Sequence, residues 1–260
     1  MLLQLLQGAL ALISDSRCPL CGGVLEASSP LGPRATPAFC AGCRTELALP
    51  AGGLSAEGEE LPGLPLSWWA LAAYDGAFRR LLLRQRQAPA PAVLAALAAA
   101  LVGLLLGEGP RRPGPLLLVP IPSWKRRANP LAAQLGQAMA RHPAVTLLPL
   151  LERSRPTVGQ HHLGRALRLR NQCGSFRLAP AQRAALSRWR RQPLWLLDDI
   201  LTTGATAQAA AQVLEGEGLA VGGLACLART PGRRPGSVVP YYPEVAQATG
   251  RDSSVGRAGD

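Results

Sequence analysis

Short apolar runs alternate with helix-period patterns along most of this chain. Strands are predicted at Trp68 to Tyr74, Leu116 to Ile121, Thr146 to Leu150, Leu194 to Ile200 and Ala220 to Ala228. Helices are predicted at Gly76 to Arg86, Ala92 to Leu106, Leu131 to Arg141 and Gln182 to Trp189, with an Ala-rich helical pattern from Ala205 to Leu214. Near-continuous apolar strands are typical of a sheet covered on both faces, and their alternation with helices predicts an α/β fold with a mostly parallel sheet.

One segment joins this pattern to chemistry. The run Leu194-Trp195-Leu196-Leu197 ends in Asp198-Asp199, followed by Thr202-Thr203-Gly204-Ala205-Thr206 at the head of the Ala-rich helix. Open α/β sheets bind ligands at the carboxyl ends of their strands. Two carboxylates there can accept from sugar hydroxyls, while the helix N-terminus offers N–H donors and a positive dipole end to a phosphate. The pair also repels itself, by roughly 3 kcal/mol at ~6 Å and an effective dielectric near 20. Hydroxyl donors or a nearby cation are expected to relieve that. The plainer reading is an Asp pair that merely ends a strand.

Cys18-Pro19-Leu20-Cys21 and Cys40-Ala41-Gly42-Cys43 form C-x2-C-x18-C-x2-C, within zinc-site spacing. Gly22 and Gly42 are expected to let the backbone fold around the metal. A closed four-thiolate set would make Zn²⁺ structural, and the competing disulfide reading needs an oxidising compartment. Cys173 and Cys226 are isolated and read as packed residues.

The acidic pair and Thr-rich turn resemble the fingerprint of type I phosphoribosyltransferases, which bind 5-phosphoribosyl-1-pyrophosphate (PRPP) with Mg²⁺. Val119-Pro120-Ile121-Pro122 followed by Ser123-Trp124-Lys125-Arg126-Arg127 is similar to the pyrophosphate-contacting region of the ComF-type branch. Arg153-x-Arg155-x-Thr157-x-x-Gln160 and Arg168-x-x-Asn171-x-x-Gly174-x-Phe176 resemble that branch's flexible catalytic loop. Tyr74-Asp75-Gly76 before a basic helix, and the four-cysteine knuckles, also match its pattern. The chain is identified on these motifs as a member of the ComF family.

The resemblance implies a type I phosphoribosyltransferase-like sheet with a small N-terminal zinc-knuckle lobe. It implies that Asp198 and Asp199 hold the ribose hydroxyls and that Thr202, Thr203, Gly204, Ala205 and Thr206 wrap the 5-phosphate. Ser123, Lys125, Arg126 and Arg127 would meet the pyrophosphate, and Arg153 or Arg168 would close over it. After the Val-Pro strand the branch's Arg-Gly-x-Asn-Gln is replaced by Arg127-Ala128-Asn129-Pro130, and Leu167 stands where an acid often precedes the Arg. Singly, these cations also read as solvated surface charges, and His161-His162, which invite a metal or general-base role, read as an exposed pair on a polar loop.

The formal net charge of +12, carried almost wholly by Arg, favours polyanionic partners. Besides PRPP, the resemblance implies single-stranded DNA or the competence helicase machinery. Trp68, Trp69 and Trp195 fall in predicted strands and read as core, leaving Trp189, between Arg residues, as the open base-stacking candidate. Two function classes follow: a phosphoribosyltransferase-like protein that transfers phosphoribosyl to an acceptor the sequence does not name, serving DNA uptake or nucleotide metabolism, or a non-catalytic single-stranded-DNA-binding competence factor on the same scaffold.

The apolar stretch Met1 to Ile13 lacks a basic leader region, and Val93 to Leu106 is too short to span a bilayer, so a cytoplasmic protein without a membrane span is expected. The predicted organisation is a short helix plus cysteine lobe over 1–48, a Gly/Pro linker over 49–66, the phosphoribosyltransferase-like domain over 67–235 and a disordered tail over 236–260. Ser253-Ser254-Val255-Gly256-Arg257-Ala258 back-translates to a transfer-RNA D-arm, so the frame is expected to run into a tRNA gene, against the alternative of an ordinary polar tail.

Overall fold

A computed structural model describes residues 17–25, 38–56, 61, 64–109, 114–123, 131–154 and 174–231. In chain order the elements are α1 (Ala41–Glu46), β1 (Leu54–Ser55), β2 (Trp68–Ala73), α2 (Gly76–Gln87), α3 (Pro91–Gly107), β3 (Leu116–Pro120), α4 (Leu131–Met139), β4 (Val145–Leu147), β5 (Leu151–Arg153) and β6 (Phe176–Leu178). A 3-10 helix (Pro180–Trp189), β7 (Leu194–Leu201), α5 (Ala205–Gly216) and β8 (Val221–Arg229) complete the set.

The main sheet has six strands in the order β1-β2-β8-β7-β3-β4. Every pairing is parallel except β1 with β2. β5 and β6 form a separate antiparallel pair. The α/β class and the mostly parallel sheet follow the predicted alternation.

Strand alternation sorts β7 onto two cores. Trp195 and Leu197 join the cluster with Phe78, Leu82, Leu97, Leu101 and Leu135 from α2, α3 and α4. Leu194 and Leu196 face the other cluster, with Ala210, Ala211 and Leu214 of α5 and Phe176 and Leu178 of β6. This is the period of two expected of a sheet buried on both faces. Helix α2 starts where the Asp75 side chain accepts from the Gly76 N–H at 2.7 Å, and it buries Phe78, Leu81, Leu82 and Gln85, a stripe of helical spacing. α3 begins with Pro91 at its first turn and buries residues nearly all round, as its Ala/Leu composition requires. No helix among the described residues is long and apolar enough to cross a membrane.

The structure departs from the expected elements in several places. Within the stretch predicted as a linker, Leu54–Ser55 pairs antiparallel with β2 at the sheet edge, and Leu64 is buried in the core on the α5 side. Cys18, Phe39, Cys43 and Leu47 of the cysteine segment pack into the same core as α2 and α3. Residues 180–189 are 3-10 rather than α-helical. The apolar pattern does not predict α1, β1, β5 or β6, each of which is too short for periodicity to register. The predicted N-terminal helix and the tail lie outside the described residues.

Candidate functional site

The sheet order creates the crevice. From β3 the chain moves outward through α4 to β4, and from β7 it moves the opposite way through α5 to β8. β3 and β7 lie side by side with Pro120 opposite Leu197, and the Ile121 N–H donates to the Leu197 carbonyl at 2.9 Å. This is the reversal point at which open α/β sheets bind ligands. Beyond this register Ile121-Pro122-Ser123 follow on one strand and Asp198-Asp199 on the other.

The two acids are held differently. The Asp199 N–H donates to Asp198 Oδ1 at 2.8 Å. Arg86, from the last turn of α2, donates Nε and Nη2 to Asp199 Oδ2, both at 2.7 Å. Burial pushes the Asp198 carboxyl up to about 8; the neighbouring Asp199 adds to this, while the Asp199 N–H and Arg86 pull against it. Burial opposes the charge on Arg86, but Asp199 outweighs it and holds the guanidinium above its ordinary value.

Arg153, at the end of β5, lies over the Phe176 ring at 4.2 Å and donates Nε to the Pro122 carbonyl at 3.0 Å. Burial brings it down to about 10, against the pull of Asp198. Arg153 is therefore fixed to the crevice wall by the strand end and an aromatic ring, whereas the sequence placed it on a flexible loop. Ser123 is exposed at the end of the β3 extension. Lys125, Arg126, Arg127, Arg168 and the His161-His162 pair lie outside the described residues.

The turn into α5 has Thr202 exposed and Thr203 and Thr206 half-buried, with Gly204 and Ala205 buried. Gly204 is left-handed at φ +77°, and a Cβ there would come within 2.9 Å of Leu64. Glycine is needed on both counts. Behind the turn, Arg229, 4% exposed, donates Nη1 to the Thr202 and Thr230 carbonyls; the Thr202 bond is 3.1 Å. Sequence reasoning missed both Arg86 and Arg229. The signal for Arg86 was a helix without acids beginning directly after β2; for Arg229 it was a cation ending an apolar strand adjacent to β7.

The sulfurs of Cys18, Cys21, Cys40 and Cys43 all lie within 4.8 Å of one another, so the four can hold a metal ion. Cys18 N–H donates to Gly23 O at 2.7 Å and Gly22 N–H to Cys18 O at 2.8 Å, closing the first knuckle with Gly22 at φ +73°. The second knuckle is built otherwise: Cys40 caps α1 and its Sγ accepts from the Cys43 N–H at 3.5 Å. Gly42 therefore sits in a helical turn without a positive φ, so only Gly22 has the turn role expected of both. Burial opposes ionisation of Cys18, but N–H groups of Cys40, Cys21 and Leu20, with the Cys43 thiol, bring it down to about 6. Cys43 is pushed far up by burial and by the surrounding sulfurs.

Against this geometry the chain can be compared with known proteins. It is 35% identical over 153 residues to DNA utilization protein YhgH of Salmonella typhi, a match covering 52% of this chain and 61% of that protein. The protein of the same name from Salmonella typhimurium matches to the same extent. The chain thus spans about three fifths of the length of these curated relatives. No protein-family model matches it.

The remaining candidates resolve by burial. Trp68, Trp69 and Trp195 are core residues, at 2%, 8% and 2% exposure. Trp189 is half-buried with the Arg188 guanidinium 5.9 Å from its ring centre. Cys226 is wholly buried, which raises its thiol and makes it inert at neutral pH. Cys173 lies outside the described residues.

Proposed function

We propose that this chain is a ComF-type, phosphoribosyltransferase-like protein that binds PRPP with Mg²⁺ in the β3/β7 crevice. One observation carries the reading: an acidic pair and a glycine-hinged, hydroxyl-bearing helix start lie consecutively at the reversal point of a parallel sheet. Asp198 and Asp199 take the ribose hydroxyls. Asp198, protonated near neutral pH, can donate as well as accept. The backbone of Thr202 to Thr206 receives the 5-phosphate, with buried Arg229 adding positive potential behind it.

In this reading Ser123, Lys125, Arg126 and Arg127, which follow β3 in sequence, would contact the pyrophosphate, and Arg153 and Arg168 would supply further positive charge. Mg²⁺ would neutralise the pyrophosphate oxygens. In the transfer reaction the bond from C1 to the pyrophosphate oxygen breaks, its electron pair leaves on pyrophosphate, and an acceptor nucleophile bonds to C1. The protein's contribution is positioning and charge stabilisation. We assign 67–235 to this domain, with 1–48 as a structural zinc lobe. Tetrahedral thiolates at the usual zinc–sulfur distance sit about 3.8 Å apart, and Cys21 Sγ and Cys40 Sγ are 3.6 Å apart.

Calorimetry with PRPP and Mg²⁺ tests the pocket. Saturable binding is expected for wild type and is lost in Asp198→Ala/Asp199→Ala; binding that persists in the folded variant overturns the assignment.

A second reading draws on the relatives' name, DNA utilization, and on the exposed Arg79, Arg80 and Arg84 of α2. In it the chain binds single-stranded DNA without catalysis. Steeply salt-dependent DNA binding that survives in the double Asp variant, with no PRPP turnover, supports this second reading.

A further inference from the structure

Asp199 and Arg86 are 113 residues apart in sequence and meet through two nitrogens on one oxygen. Both Nε and Nη2 converge on Oδ2, so Oδ1 takes no part in the pair. The Asp199 side chain is 16% exposed and that of Arg86 38%, which leaves the carboxylate sheltered and the guanidinium reachable from solvent. Helix α2 has its own cap in Asp75 and its own buried stripe. It does not need this contact to form. Its last turn nevertheless delivers the cation to one acid of two.

We propose that Arg86 is a positioning residue for the acidic pair, holding the Asp199 side chain with Oδ2 engaged and Oδ1 presented to a vicinal diol. The diol as ligand rests on the reading given under Proposed function; the control of the pair's charge does not. Without Arg86, two adjacent carboxyls compete for ionisation in a sheltered crevice, and the pair takes up protons at higher pH. The other charged and titratable groups around it are Tyr74 after β2, Arg153 on β5, and Cys226 and Arg229 on β8. Arg153 lies nearer in effect to Asp198, so it does not substitute for Arg86 at Asp199.

The test uses the full, metal-loaded chain with ¹³C-labelled aspartate. Asp198→Asn and Asp199→Asn assign the resonances, and the carboxyls are titrated by NMR without ligand in wild type, Arg86→Gln and Arg86→Lys. Arg86→Gln is expected to raise the pair's apparent midpoint by about one pH unit or more, and Arg86→Lys by less than half of that. PRPP–Mg²⁺ calorimetry follows. Arg86→Gln should weaken binding at least about tenfold at pH 7, with partial recovery at higher pH, and Arg86→Lys should restore most of it.

An unmoved titration in Arg86→Gln overturns the proposal. So does a lowered Tm in that variant with the carboxyl midpoints unchanged, which would mark Arg86 as a structural tie only. If wild type binds no PRPP, the ligand reading fails, and the ligand-free titration still decides the role of Arg86.

Discussion

In the cysteine lobe, four ionisable sulfurs crowd within 4.8 Å, and the groups acting on Cys18 are burial, backbone N–H donors and another thiol. None of these is a cation. In the second half of β7 two acidic side chains are adjacent in sequence, but Arg86 sits on one and Arg153 acts on the other. The first cluster gathers like groups and leaves the balancing charge to come from outside. The second carries its balance within the protein. A site of the first kind depends on its ion for folding, whereas a site of the second kind persists empty and can exchange a ligand.

Removing the zinc proposed for the four sulfurs is the hardest test of that contrast. Structural zinc contributes on the order of 10 kcal/mol in small lobes. Because Cys18, Phe39, Cys43 and Leu47 share the core of α2 and α3, its loss should be felt by the whole chain. Chelation or Cys43→Ser is expected to lower the Tm by at least about 10 °C; a Tm that stays put would remove the metal from the stability of the fold.

The acidic crevice is predicted to respond to pH instead. Unfolded, Asp198 ionises at the ordinary 3.8, while in the fold it keeps its proton up to about 8. The native state therefore binds more protons between these values, and the site's contribution to stability falls as pH rises through them, by at most about 1.4 kcal/mol per pH unit. Urea denaturation at several pH values should show that slope in wild type and a flatter one in Asp198→Asn. Identical slopes would mean that Asp198 ionises normally in the fold.

Gly204→Ala probes the neighbouring turn, where the constraint is steric. The left-handed φ and the 2.9 Å approach to Leu64 predict a loss of about 1–3 kcal/mol, read by chemical denaturation. A neutral substitution would show that the turn can relax. Last, Arg177 and Glu152 pair at 3.1 Å across β5 and β6 with 60% and 45% of their side chains exposed. Glu152→Ala should cost no more than about 0.5 kcal/mol. A larger loss would erase the distinction drawn between sheltered and solvated pairs.

What could be read in the linear chain was what is local. β7, the acid pair, the helix after it and the two knuckles each arise within a few residues, and apolar period and spacing marked all of them. What could not be read was whatever needs two distant elements. Arg86 reaches Asp199 only because α2 packs on the face of the sheet to which β7 also contributes, and Arg229 reaches Thr202 only because β8 lies beside β7. Leu64 beneath Gly204 is of the same kind: a lone apolar residue among Gly and Pro, given meaning by the turn it supports. The strands of two or three residues were invisible because nothing shorter than a few alternations has a period.

The rings of Trp69 and Trp195 lie 5.2 Å apart and tilted by 52°, on neighbouring parts of the buried sheet. Indoles so close and so dry should absorb as a coupled pair and emit toward the blue. Trp195 precedes Asp198 by three residues on the same strand. The near-ultraviolet dichroism of this coupled pair therefore reports on the packing of the strand that carries the acids, while the native fluorescence is shared with Trp68, Trp124 and Trp189.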